Sequence, residues 1–490
     1  MPAKIVLFQP SYETTEVSPP LALIAVAGPL VKAGHEVVIV DAALHADFVG
    51  RTLAALDGAL CLGVSIITGP MIRDTIAVCR AAKARYPDLT IVLGGWHPSI
   101  LPEQTVMAAF VDVVLTGQGE VALRELVERL QGGDSLDGLP GAFWKQDGAI
   151  QRGPDRPITG VAHLPDRIPG YALVDHDAYA RRTGLRWLMY STSHGCPYDC
   201  SYCSNASVYG RRLDELPAEQ VVDEIGFLVR TYGVRLLGLI DDIFFTFRDR
   251  SKRIAEGLLR HDIKVDWYVQ DRADSVAKLS AEDAAMYRRA GLRRIHFGAE
   301  SGSDRVLRSI EKRSNVQRTL DAVDRCAAAG IRSSFGFIFG LPDEEEEDLR
   351  QTVALIAGIY RRSPMADCHT NIFTPYPGSP LWPRSVELGV QAPARFEDWV
   401  DFFPRVTELP WLQGEAHKRL QDIRQYLRFG YPNMAVGEAG GSRAHQLAVR
   451  TLGPSARWRL DNHRYGLPVE VRGFAALRRL RADIAVTDRF

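Results

Sequence analysis

The sequence predicts an α/β protein in three parts. A doubly wound parallel sheet occupies residues 1–135, an incomplete (β/α)6 barrel 186–385, and a mainly helical region 386–490, with 136–185 as a linker. Three observations predict this. Short β-branched apolar runs alternate with helical stretches in two successive series, and that rhythm stops after residue 385. The chain has 490 residues, and at about 150 residues per domain that suggests roughly three.

In the first series KIVLFQP (4–10), EVVIVDA (36–42), LCLGVS (60–65), TIVLGG (90–95) and DVVLTG (112–117) read as strands buried on both faces. Helical stretches lie between them, near 21–33, 70–86, 102–110 and 119–131. Lys32, Gly34, Gly132 and Gly133 mark helix ends. The alternation predicts a five-stranded, Rossmann-like sheet, which binds ligands beyond the carboxyl ends of its strands. Those ends carry GGWHPS (94–99) and TGQGE (116–120). Their glycines suit either close backbone approach to a ligand or a tight turn.

Residues 134–185 are rich in Gly, Pro and Asp and suggest a short hairpin around AFWKQDGAIQ (142–151). The second series follows: RWLMYSTS (186–193), RLLGLIDD (235–242), KVDWYVQDR (264–272), RRIHFGAES (293–301), IRSSFGFIFG (331–340) and DCHTNIFTP (367–375). Helical patterns separate each pair. Six βα units give a partial barrel whose strand ends face a site.

In the last part Trp399, Phe402, Phe403 and Trp411 suit either the walls of a substrate pocket or a core. From Ser442 onward there are ten Arg and no Lys against four acids. That basic end suits a solvated, salt-bridged face or contact with an anionic substrate, partner or membrane surface. Over the whole chain 59 Lys and Arg balance 60 Asp and Glu. This excludes a polycation built for nucleic acid, and no nucleic-acid partner is expected. The apolar stretch LALIAVAGPLV (21–31) is about half of what spans a bilayer, so no transmembrane segment is expected. No positively charged leader with an apolar core opens the sequence, which predicts a cytoplasmic location.

Seven cysteines are too few for a disulfide scaffold. Three of them form GCPYDCSYC (195–203), where Cys196, Cys200 and Cys203 follow a strand end. Clustered thiolates supply soft ligands for iron–sulfur or zinc. His194 could complete a four-ligand zinc set. Three thiolates on a four-iron cluster leave one iron open to chemistry. Cys61, Cys79, Cys326 and Cys368 are scattered and read as small buried residues.

The cysteine spacing, with Tyr202 just before the last one, resembles the radical S-adenosylmethionine (SAM) superfamily. LIDDIFF (239–245), HFGAESGSDRVL (296–307) and GFIFGLPDE (336–344) also resemble its segments. The first domain, with GGWHP and GQGE, is similar to the cobalamin-binding half of the cobalamin-dependent branch. The resemblance covers roughly residues 1–380.

It implies three cofactors: a 4Fe-4S cluster on Cys196, Cys200 and Cys203, SAM, and cobalamin. By the same resemblance Glu300 reaches SAM, with Ser301 beside it, and Gly336, Ile338 and Gly340 form a bare strand edge for the adenine. Tyr202 stacks beside that adenine or packs within its loop. Glu344 either joins this site or belongs to an acidic first helical turn. Asp241 and Asp242 orient substrate as catalytic acids or cap the next turn. Ser65, Gly94, Gly95, Gly117 and Gly119 contact the corrin or its nucleotide tail. Many cobalamin proteins ligate cobalt through the His of Asp-x-His-x-x-Gly, but Asp41, His45 and Gly50 do not fit that spacing. No histidine ligand to cobalt is therefore expected. His97 is the nearest competitor, or else a hydrogen-bonding turn residue.

The function implied is a methyltransferase that adds a methyl group to an unactivated carbon of a small-molecule biosynthetic intermediate. SAM cleavage to methionine and a 5′-deoxyadenosyl radical would abstract substrate hydrogen, and a second SAM would remethylate cobalamin. An electron donor such as flavodoxin or ferredoxin is implied as a partner. A radical cyclase or ring-rearranging enzyme of the same family is the alternative. A cobalamin or metal sensor without catalysis is the third reading.

Overall fold

The computed structural model describes residues 2–12, 17–402, 409–431 and 443–466, with 443–449 described by backbone alone. Its first sheet contains β1 (Lys4–Gln9), β2 (Glu36–Asp41), β3 (Cys61–Ser65), β4 (Thr90–Gly94) and β5 (Val113–Leu115). They run parallel in the order β2-β1-β3-β4-β5. Alternation explains the apolar runs: Ile5 and Leu7 enter one core layer, Val6 and Phe8 the other. Strand order reverses between β1 and β3, which opens a crevice beyond Gln9 and Ser65.

The sheet is wider than the five strands expected. A hairpin of β6 (Ala142–Gln146) and β7 (Ala149–Arg152) extends it antiparallel beyond β5. Phe143 and Trp144 point to opposite faces and each joins a core layer, so the hairpin is part of the packed sheet. The 3-10 segment Ile168–Leu173 crosses the helix Leu21–Lys32. Gly28 permits that crossing, since a Cβ there would lie 2.6 Å from the Arg167 backbone.

The second sheet contains β8 (Trp187–Tyr190), β11 (Leu236–Leu239), β12 (Asp266–Asp271), β13 (Leu292–Glu300), β14 (Arg332–Phe339) and β15 (Asp367–Ile372). All are parallel, and their spatial order follows the sequence from β8 to β15, as in an open barrel. Phe335, Phe337 and Phe339 are fully buried in the core. Ser334, Gly336 and Ile338 alternate with them and face the lumen side. A short antiparallel pair, β9 (Ser193–His194) and β10 (Asp214–Glu215), frames the cysteine loop.

Helices dominate the described part of the C-terminal region, with Leu381–Glu387, Gly414–Gly430 and Arg443–Asp461. Trp399 and Phe402 belong to a packed core. They are buried with Phe396 against Val106 and Phe110 of the first domain, because the sheet flank offers them a dry partner. Trp411 is half-buried beside β14, donating to the Gly340 carbonyl at 3.0 Å. Phe403 and the chain beyond residue 466, with five of the ten arginines of the basic end, lie outside the described residues. Among the described residues no helix is long and apolar enough to cross a membrane.

Candidate cofactor cleft

The cysteine loop leaves β9 through Gly195, whose φ is +86°. A Cβ there would sit 2.1 Å from the Arg212 carbonyl, so the turn requires glycine. Cys196 and Cys203 are half-buried and Cys200 is buried; none is disulfide-bonded. Burial pushes the Cys196 thiol up to about 11 and also raises Cys203. The Asn205 backbone N–H points at Cys203 Sγ from 3.4 Å. The loop is tied down by Ser201, which donates to the Ile310 carbonyl at 3.0 Å and accepts from Leu381 at 2.8 Å.

The two acids after β11 separate. Asp241 is 1% exposed and accepts from the Thr192 backbone at 2.6 Å, the Thr192 hydroxyl, and the Ser193 backbone at 3.2 Å. It anchors the strand that leads into the cysteine loop and does not reach the cleft, which corrects its expected catalytic role. Asp242 is exposed. Neighbouring groups desolvate its carboxyl and raise it, Asn205 and the Gly195 N–H offset that rise in part, and the Asp241 charge adds to it. Consecutive residues leaving a strand point to opposite faces, which accounts for the split.

Glu300 closes β13 with φ at +62°, a left-handed backbone uncommon for a side-chain-bearing residue. Its Oε1 accepts from Tyr202 at 2.7 Å and from Lys312 at 2.7 Å; Lys312 also donates to the Tyr202 hydroxyl at 3.1 Å. Gly298 makes room, since a Cβ there would lie 2.0 Å from Glu300 Oε1. Tyr202 therefore joins the acid rather than standing free. Ser301 is fully buried and bonded to Thr352 and Ser303, so packing holds it away from the cleft, correcting its expected binding role. Beside them the nearest atom to a Cβ placed at Gly336 would be the Phe297 carbonyl at 3.7 Å, leaving the strand edge bare. Ile338 is half-buried on that edge. Gly340 (φ +77°) turns the chain under Leu409 and Leu412, and its N–H donates to Glu344 at 2.6 Å. Burial pushes Glu344 up to about 8.

On the first domain, Gly95 has φ +96° and fits against the Ile66 carbonyl, 2.6 Å from where a Cβ would stand, and against Ser65. Gly94 precedes it, backing onto the Leu115 carbonyl. Gly117 (φ +73°) has open space where a Cβ would project, and its N–H donates to Ser99 at 2.9 Å. Gly119 instead starts the helix Gly119–Gly132 and packs on Val26, which takes it off the open face. His97 is also not on that face. It is fully buried, bonded to Thr68 at 3.0 Å, with its ring 5.5 Å from those of Phe396 and Trp399. Aromatic packing from the C-terminal region makes it a core residue rather than a contact for the cofactor, and burial pushes it down to about 4.

The strand ends of the two sheets meet. Helix Trp96–Ile100 packs on helix Asn205–Tyr209, with the Trp96 and Tyr209 rings edge to face at 6.0 Å. The glycine turns after β4 and β5 thus border the same cleft as the cysteine loop.

Two family models match the chain. The B12 binding domain covers residues 13–127 and the Radical SAM superfamily residues 190–356. The chain belongs to the cobalamin-binding radical SAM family. An uncharacterized methyltransferase of Pyrococcus horikoshii is 29% identical to this family member over 394 residues, 78% of this chain and 83% of that protein. The anaerobic magnesium-protoporphyrin IX monomethyl ester cyclase of Synechocystis sp. is 27% identical over 346 residues, 69% and 68% of the two chains. The radical SAM methyltransferase TsrM of Kitasatospora setae, solved with cobalamin and a 4Fe-4S cluster, shares the fold. Its TM-score is 0.71 at 17% identity, over 97% of this chain and 100% of that one.

The residues of this radical SAM protein fit the family's cofactors. Three free thiols on one loop, with a backbone N–H and a buried arginine directed at their sulfurs, suit an anionic cluster. Among the described residues no three His, Cys, Asp or Glu side chains converge on a single metal ion. Glu300 beside the bare Gly336 edge suits an amine or ribose next to an adenine. The backbone at Gly117 has open space on the side where a Cβ would project, which suits close approach of a bulky ligand. Lys312 was not legible as a site residue, because within EKR (311–313) it reads as a solvated charge; its burial at 6% reveals it.

Proposed function

We propose that this protein is a methyltransferase that adds a methyl group to an unactivated carbon of a small-molecule biosynthetic intermediate. The observation that carries the reading is the meeting of the Trp96–Ile100 and Asn205–Tyr209 helices, which puts the glycine-rich edge and the cysteine loop on one cleft. When bound, the cluster with SAM supplies hydrogen-abstracting chemistry, and cobalamin supplies a transferable methyl group. Asp242, open to the cleft, orients a polar group of the substrate. Glu300, held by Lys312 and Tyr202, takes the amino or ribose group of SAM. The methyltransferase relative from Pyrococcus horikoshii supports methylation over other outcomes. The protein works in the cytoplasm and receives electrons from a carrier such as flavodoxin or ferredoxin.

The test is turnover of candidate metabolites by the anaerobically reconstituted full chain, with SAM products followed by mass spectrometry. Methylation requires 5′-deoxyadenosine and S-adenosylhomocysteine to appear together with a product one methylene heavier. The cyclase relative makes the alternative specific: 5′-deoxyadenosine without S-adenosylhomocysteine during turnover would favour ring closure or rearrangement. Intact SAM beside a reducible cluster would favour a sensor.

A further inference from the structure

Arg272 follows β12 and is 5% exposed, a buried guanidinium at the edge of the cysteine loop. Its Nε donates to Asp274 at 3.0 Å. Its Nη2 donates to the carbonyls of Lys312 and Arg313, the second at 3.2 Å. The acceptor facing its Nη1 is Cys200 Sγ at 3.9 Å. The Tyr198 ring, from the same loop, covers the guanidinium 3.7 Å from the ring centroid.

This arrangement has a direction. Arginine stays protonated in proteins, so the loop carries a fixed positive charge in a place shielded from water. A neutral thiol is a weak acceptor, whereas a thiolate accepts a charge-assisted bond. The Nη1 arm is therefore matched to a Cys200 sulfur that ligates an anionic cluster. Reducing a cluster adds negative charge, and a nearby cation stabilises the reduced form, more strongly where the dielectric is low. Asp274 opposes that effect in part from the far side of the fork.

We propose that Arg272 is a positioning residue that raises the reduction potential of the cluster held by Cys196, Cys200 and Cys203, with Asp274 as its counterweight. The same side chain holds the backbone of Lys312, so it links the cysteine loop to the Glu300 site. The inference rests on the four-iron reading of that loop.

The experiment is an EPR-monitored redox titration of the reconstituted full chain, in unsubstituted form and as Arg272→Gln, Arg272→Lys and Asp274→Asn. Arg272→Gln is expected to weaken reduction roughly tenfold, a fall of about 59 mV for one electron. Arg272→Lys keeps the charge and should retain most of the potential. Asp274→Asn removes the counterweight and should shift it upward. A purely structural role would lower cluster loading without ordering the potentials by charge. Equal potentials in the cluster-loaded variants, or a Lys variant as low as the Gln variant, would overturn the proposal. No cluster signal in the unsubstituted protein would instead overturn the four-iron reading, and the proposal with it.

Discussion

Lys312 Nζ lies 2.7 Å from Glu300 Oε1, and each side chain is only 8% exposed. A buried pair like this contributes little net stability, but breaking it strands a charge at a cost of about 3–5 kcal/mol. Lys312→Met should therefore lower the stability of the cofactor-free chain by about 3 kcal/mol or more in urea titration. The double variant Glu300→Gln/Lys312→Met should recover much of that loss. Glu300→Gln alone should weaken SAM binding at least about tenfold, read by equilibrium dialysis, because about 1.4 kcal/mol of a charge-assisted bond is lost. Full SAM affinity in Glu300→Gln would count against the assignment.

The two acids after β11 should behave oppositely. Asp241→Ala leaves buried donors at Thr192 and Ser193 unpaired, costing about 2 kcal/mol or more and lowering iron content after reconstitution. Asp242→Asn should keep stability within about 1 kcal/mol and keep iron content, while slowing substrate turnover. Thermal melts and iron assays on both variants separate these outcomes.

His97 has a defined pH signature. Burial lowers it from its ordinary 6.5 to about 4, so the folded state favours the neutral ring. Its contribution to stability is present above pH 6.5 and lost as pH falls toward 4, because the unfolded chain takes up the proton first. The full loss is about 3 kcal/mol. His97→Phe should remove that part of the acid destabilisation, measured as stability at pH 7 against pH 4.5. The same variant should still bind cobalamin, seen in its absorbance spectrum.

Trp96 and Tyr209 couple the two domains across the cleft. Trp96→Ala removes an edge-to-face contact of about 1 kcal/mol and loosens that juncture. The expected result is more 5′-deoxyadenosine formed per methylated product, with total SAM cleavage largely kept.

Much of this was legible in the sequence, and the exceptions share a physical cause. The two alternating series and the cysteine triad depend on local pattern, and they placed both sheets and the loop. Position along a strand exit could have separated Asp241 from Asp242, since alternate residues face opposite sides. His97 was not separable, because the rings that bury it come from Phe396 and Trp399, about three hundred residues away in sequence. Lys312 and Arg272 sit in ordinary charged stretches, and only tertiary burial distinguishes them from solvated residues. The hairpin 142–152 was visible as a hairpin, but its union with the first sheet depends on long-range pairing with β5.

The proposed function requires one cleft to hold a cluster, SAM and cobalamin in working contact. The most direct measurement needs no substrate. The reconstituted full chain, loaded with hydroxocobalamin and a reductant, is given SAM carrying a trideuterated methyl group. We predict about four irons and about one cobalamin per chain. Mass spectrometry should then show trideuteromethyl-cobalamin with S-adenosylhomocysteine, and 5′-deoxyadenosine from slow reductive cleavage. A chain that binds its irons but takes up no cobalamin, or leaves SAM intact, would contradict the account.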